Sequence, residues 1–422
     1  MENKKSNVLI TLLLLMQVIS WILFMPASQI QMMIFEKRII SFVHYGVIEI
    51  LLIILLVAQV DWKLKINKNG KENIFLCVMF FISLLFNIVK TNTITPFVIL
   101  FYLMFWIFPI FIIWILDNFN YNPNKFLKFM LLIVVLHAII IFYQHYTNSA
   151  FWPYLMYDDS EVAFKLDSYY STDKYAARCG GMTGTGLEAG ILLMFGIVLV
   201  IVMPDFKKRT KICLLVLFTI ATYFSGTRNI YVMIAYIFAM VMLMRLKILE
   251  KNKISVMIFI TVVLALIYFF VISSITSFNT TGNLFTDTTS IGIRLKKWKN
   301  VIESLKDGSI FNFFFGCIQW QNAGNCMIID NMYLELIYCS GIMSAFYYIR
   351  YVILISKAQA KTDQYTSLIS AAFTLCYLIY GVLNSASNFY FTLIILLLLF
   401  EKNKNNNNSI DNKEIVKRKE II

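Results

Sequence analysis

Apolar residues run through this chain in stretches of roughly twenty, with short polar connections between them. A segment such as "VLITLLLLMQVISWILF" carries no polar face and is built from helix-favouring Leu, Ile and Met. Barrel strands would instead alternate over about ten residues. The pattern predicts membrane-spanning helices at about 7-25, 42-60, 73-90, 97-116, 126-146, 187-203, 211-225, 229-245, 254-276, 331-355, 365-383 and 388-400. The expected fold is therefore all-α: a polytopic membrane protein of about twelve spans, with residues 1-400 as a single domain. Most connections are short. Two are long, at about 147-186 and 277-330, and an even number of helices separates them, so both emerge on one side.

Composition agrees with the pattern. Of 422 residues, 59% are hydrophobic and 14% charged, and the mean hydropathy of +0.72 lies outside the soluble range. The N-terminal "MENKKSN" and the apolar run after it resemble a secretory signal, but no small-residue cleavage site follows, so the segment is expected to stay as the first span. The net charge of +13 could suggest nucleic acid. Its distribution argues otherwise: about two-thirds of the 37 Lys and Arg fall in the N-terminus, the alternate short loops and the tail. That asymmetry predicts both termini in the cytoplasm and both long loops outside, with the lipid bilayer and not nucleic acid as the basic partner. The tail 401-422, "EKNKNNNNSIDNKEIVKRKEII", is polar and low in complexity and is expected to be disordered.

Seven cysteines show no CxxC pair and no metal-ligand spacing. Cys317 and Cys326 share one outer loop and could close a small ring outside the cytoplasm. No outer His, Asp and Glu cluster has ligand spacing either, so neither a metal nor another cofactor is expected.

Candidate chemistry collects in the two long loops and one tight turn. The first loop ends in "ARCGGMTGTGLEAG", where Arg178 adjoins bare backbone at the start of a span, a setting that suits an approaching anion as well as a plain sharp turn. Its glycine spacing does not fit a dinucleotide fingerprint, and no strand precedes it. In the second loop, Arg294, Trp298, Val301 and Leu305 share one helical stripe. This predicts an amphipathic helix on the outer membrane surface, with Lys296, Lys297 and Lys299 meeting lipid headgroups. Arg228 lies in "SGTRN", the outer turn between spans seven and eight. A guanidinium is always charged and forks onto phosphate through two parallel hydrogen bonds, so these three arginines are candidates for a diphosphate at the lipid boundary; a snorkelling anchor is the plain alternative for each.

The segments "SGTRNIYVMIAYIF", "GIRLKKWKNVIESL", "FFFGCIQW" and "DNMYLELIYCSGIMSAFYY" occur in an order that resembles the Wzy-type repeat-unit polymerases of O-antigen and capsule, relatives of the O-antigen ligases. The likeness covers about 215-350, and "ARCGGMTGTGLEAGILL" resembles the family's other Arg-Gly loop. It implies a metal-independent glycosyltransferase of the bacterial plasma membrane. Such an enzyme moves a growing chain from undecaprenyl diphosphate onto the distal sugar of a newly exported, undecaprenyl-diphosphate-linked oligosaccharide. A flippase and a chain-length regulator of the same pathway are the implied protein partners. Negative charge on the departing diphosphate would be met by Arg178, Arg228 and Arg294. The acceptor hydroxyl needs a base, for which the chain offers Asp330, Glu188 and His145. Asp330 is equally a plain N-cap of span ten. Trp152, Tyr154, Tyr169, Tyr170 and Trp320 could stack on sugars or sit in an interfacial belt.

Two other functions share these features. An O-antigen ligase is expected to end its large loop with a histidine, and 277-330 contains none. A flippase should carry its charges within the spans, whereas here few lie there, notably Glu49, His137, Glu335 and Arg350.

Overall fold

The computed structural model describes residues 2-35, 39-40, 42-60, 68-90, 96-147, 179-183, 186-204, 206-244, 253-278, 288-317, 330-360, 365-384 and 387-420. Among them there is no strand. The helices are α1 (Glu2–Trp21), α2 (Phe24–Phe35), α3 (Phe42–Ala58), α4 (Lys68–Lys90), α5 (Pro96–Tyr102), α6 (Phe108–Leu116) and α7 (Asn124–Thr147). They continue as α8 (Gly186–Val202), α9 (Lys208–Phe224), α10 (Arg228–Met244), α11 (Lys253–Phe278) and α12 (Thr288–Asp307). The last four are α13 (Ile310–Phe315), α14 (Met332–Gln359), α15 (Tyr365–Tyr380) and α16 (Asn388–Glu420). A helix covers every stretch picked out by hydropathy, and α2, α12 and α13 add helices within the connections. Among the described residues, four helices are long and apolar enough to cross a membrane: Gly70–Lys90, Val98–Leu116, Asn124–Thr147 and Met332–Gln359. A fifth would be the α1-α2 pair, which bends by 88°. Pro26 falls in the first turn of α2, where its missing N–H leaves no helical bond unmade.

Two local breaks have clear causes. Between α5 and α6 the chain makes a π-helical turn, Leu103–Ile107, just before Pro109. Proline cannot donate to the preceding turn, and the wider turn absorbs that mismatch. In α14 the helix breaks at Gly341, whose φ of 83° and ψ of 163° lie where L side chains do not fit. The short helix α13 and the turn after it fill the break. Cys317 N–H donates to Tyr338 O at 2.5 Å, and Ser83 and Asn87 of α4 both donate to Phe315 O.

Helix α15 is the centre of the bundle. It packs against α8, α10, α11, α14 and α16, and Ser367 through Tyr380 are all buried. Peripheral helices instead turn large apolar side chains outward, among them Leu51, Val78, Leu132 and Leu266. A soluble bundle would place polar residues there, whereas outward leucines and valines match a hydrocarbon solvent.

At one end of the bundle, Thr11 meets Tyr121 at 3.1 Å, Arg350 pairs with Glu72 at 2.6 Å and Lys402 reaches Leu116 O at 3.0 Å. At the other, Lys90 donates to Asn312, Cys179 N–H to Phe224 O, and Met332 N–H to Gly381 O. Every one of these contacts joins segments that the charge pattern assigns to the same side.

Packing continues at the end of α16: Glu401 is fully buried and accepts from Ser367 at 2.6 Å and Ser370 at 2.9 Å. Lys404 donates to Thr366 at 2.5 Å. Helix α16 is continuous from Asn388 to Glu420, and an already nucleated helix adds one backbone bond for each further residue it orders.

Candidate functional site

The site is built on α12. Arg294 and Lys297 lie three residues apart and so share a face, while Trp298, Val301 and Leu305 continue the apolar side. Trp298 is 3% exposed and Val301 6%. They pack against Tyr338, Cys339, Val382 and Leu383, with Ala265 and Tyr268 of α11 alongside. The expected membrane-surface helix is thus corrected: its apolar stripe rests on the protein, and α11, α14 and the end of α15 take the place assigned to lipid. Amphipathic periodicity shows that one face is buried, not what buries it.

Asp330 faces that helix. Lys297 Nζ lies 2.9 Å from Asp330 Oδ2, and Arg294 Nε lies 3.9 Å from the same oxygen. The three side chains are between 20% and 27% exposed, so water screens these pairs and each is worth about 1 kcal/mol or less. Lys297, expected at lipid headgroups, is therefore an ion-pair partner. Asp330 has φ of 53°, the one left-handed non-glycine among the described residues. Asp tolerates that region better than most residues, at a cost of about 1 kcal/mol.

The N-cap is also corrected by one position. Asn331, not Asp330, caps α14: its Oδ1 accepts from Leu334 N–H at 2.9 Å, and its Nδ2 donates to Val382 O at 2.9 Å. The left-handed turn at Asp330 aims its carboxylate away from the helix and towards α12. Replacing Asn331 with Ala should cost about 1–2 kcal/mol, read as a lower unfolding temperature of the detergent-purified protein. Asp at this position keeps the acceptor for Leu334 but loses the bond to Val382, and should fall between the two.

Arg228 is the first residue of α10. It follows a turn in which Gly226 has φ of 64° and Ser225 N–H closes onto Ala221 O at 3.0 Å. Its side chain lies outside the described residues. The next residue ties this turn to α12: Tyr268 OH donates to Asn229 Oδ1 at 2.9 Å, and Arg294 lies within electrostatic reach of the Tyr268 ring. A chain of neighbours therefore runs from the Arg228 turn through Asn229 and Tyr268 to Arg294, Lys297 and Asp330.

Arg178 itself falls outside the described residues, as do Trp152, Tyr154, Tyr169, Tyr170, Trp320 and Cys326. The backbone after Arg178 is placed: Cys179 N–H donates to Phe224 O at 3.1 Å, at the head of the Arg228 turn. Gly181, with φ of 56°, donates to Gln144 Oε1 at 2.7 Å, and Met182 N–H donates to His137 Nδ1 at 2.9 Å. A Cβ at Gly181 would sit 2.4 Å from His137 Cε1, so bare backbone is required there. His145 stacks on Phe224 with ring centroids 3.8 Å apart. Burial pushes the Cys179 thiol up to about 11, which leaves it a packed thiol and not a nucleophile. Cys317 is a free thiol.

Glu188 opens α8 and lies within electrostatic reach of Tyr380, at the end of α15; so does Glu335 in the first turn of α14. The turn after Tyr380 is the one that receives Asn331 and Met332. Among the described residues, no group of three His, Cys, Asp or Glu could hold a metal ion.

No family model matches the chain, and no curated protein matches it. Sequence reasoning missed Lys297, Tyr268 and Asn229. For Lys297 a signal existed in its i+3 spacing from Arg294, and for Asn229 in its place beside Arg228; nothing local marks Tyr268.

Proposed function

We propose that this chain is a polymerase of undecaprenyl-diphosphate-linked oligosaccharide repeat units, working at the outer face of a bacterial plasma membrane with twelve spans and both termini in the cytoplasm. The observation that carries this reading is the linked set of the Arg228 turn, Tyr268, Arg294, Lys297 and Asp330 at one end of the bundle. Two cationic elements and one carboxylate at the edge of an apolar bundle suit a lipid diphosphate donor and a hydroxyl acceptor. In the reaction, the bond between the chain's reducing-end carbon and the diphosphate oxygen breaks. A bond from that carbon to the acceptor oxygen forms, and the hydroxyl proton passes to a base. Guanidinium and ammonium groups favour the charge that develops on the leaving diphosphate, and Asp330 or Glu188 takes the proton. The sequence resemblance supports the same assignment.

A flippase draws some support from Glu49, which is fully buried and held by Gln17 at 2.7 Å and Ser20 at 3.1 Å. A carboxyl at such depth in a membrane is often functional. The loss-of-function phenotype separates the readings. A strain lacking the protein should display single repeat units on the carrier outside the membrane, whereas a flippase defect would keep them inside and a ligase defect would leave long chains on the carrier. Purified protein is expected to polymerise lipid-linked units in excess chelator; activity that vanishes there and returns with magnesium would remove the metal-independent mechanism.

A further inference from the structure

The Asp330 carboxylate is an anion that faces both Lys297 and Arg294. Lys297 Nζ holds it at hydrogen-bond distance, 2.9 Å, while Arg294 Nε stands 3.9 Å away, within ion-pair range but too far for a hydrogen bond. The pairing is maintained by a left-handed backbone at Asp330 and by Asn331 pinned to both Leu334 and Val382. Mere helix capping requires none of this, because Asn331 already caps the helix. The pair is also partly solvated, so each contact is weak enough to exchange.

We infer that the Asp330 carboxylate is an internal stand-in for the substrate diphosphate: it holds Lys297 and Arg294 while the site is empty and is displaced when diphosphate binds. This rests on the polymerase reading and adds an order of events to it. A diphosphate carries more charge than one carboxylate and can engage both cations together, so it wins the exchange. The displaced carboxylate is then free of its ammonium partner, as a proton acceptor for the incoming hydroxyl must be. The base is thus released by the arrival of the donor, which keeps the site from acting on acceptor alone.

The test is binding of farnesyl diphosphate to the full-length protein in detergent, compared between wild type, Asp330→Asn and Lys297→Gln. Asn is well suited to the left-handed conformation and preserves the shape of Asp, so Asp330→Asn should fold, and its unfolding temperature is measured alongside. With the competing charge removed, Asp330→Asn should bind farnesyl diphosphate about tenfold more tightly, although it loses turnover. Lys297→Gln should bind it more weakly than wild type. Equal or weaker binding by a folded Asp330→Asn would overturn the exchange. So would unaltered binding by Lys297→Gln, which does not depend on the first variant folding. Dihexanoyl phosphatidylglycerol is the counter-probe: tightening towards this single phosphate alone would make the cradle a headgroup site. Failure of the polymerase reading is seen separately, as unchanged polymer in the deletion strain.

Discussion

Replacing Arg228 with lysine should cut polymer formation about a hundredfold while leaving the protein in the membrane at normal amounts. Losing one donor to a developing anionic charge commonly costs about 3 kcal/mol, which corresponds to that factor in rate. Lysine keeps the positive charge but lacks the planar fork, so the substitution separates two roles that alanine would confuse. If Arg228 only snorkels to anchor α10, lysine should serve nearly as well. The residue has little freedom to be replaced from elsewhere in the turn, since Gly226 sets the chain direction before it and Asn229 is held by Tyr268 after it. Chain length of the polysaccharide and immunoblotting of membranes provide the readout. Long chains at near wild-type levels in both Arg228→Lys and Arg228→Ala would eliminate the proposed role.

The second large effect is structural. Gly341→Ala should destabilise the protein by about 3 kcal/mol or more and prevent α13 from docking. A Cβ there would lie 1.9 Å from Phe314 O, and φ of 83° with ψ of 163° is itself a glycine region. Neither problem can be relieved by a side-chain rotation, because the obstacle is backbone. Gly46→Ala makes the control. Its Cβ would meet Met104 Sδ at 2.2 Å, but Met104 is a flexible side chain that can move aside. Thermal unfolding in detergent should show a large loss for Gly341→Ala and a small one for Gly46→Ala. Similar losses in both would mean that the break in α14 is not the constraint described.

Helices were legible because apolar runs of about twenty residues have few other solutions in lipid. Their boundaries agree with hydropathy to within a few residues, as in α7 and α15. Tertiary relations were less accessible. The stripe of Arg294, Trp298 and Val301 was recognisable as one face, but lipid and protein are equally apolar partners for it. Asp330 and Asn331 are both good caps, and a one-residue choice between them depends on the left-handed turn, which Asp330's pairing with α12 accompanies. Hydropathy also runs unbroken through Gly341, since an interruption filled by α13 leaves no polar trace.

Between α13 and α14 the chain is held at both ends. Just before residue 318 the chain is fastened by Cys317 to Tyr338 and by Phe315 to Ser83 and Asn87; from residue 330 it is fastened again by Asp330 to Lys297 and Asn331 to Val382. Twelve positions separate these two moorings. A cut in the chain between them should therefore leave both ends attached to the bundle.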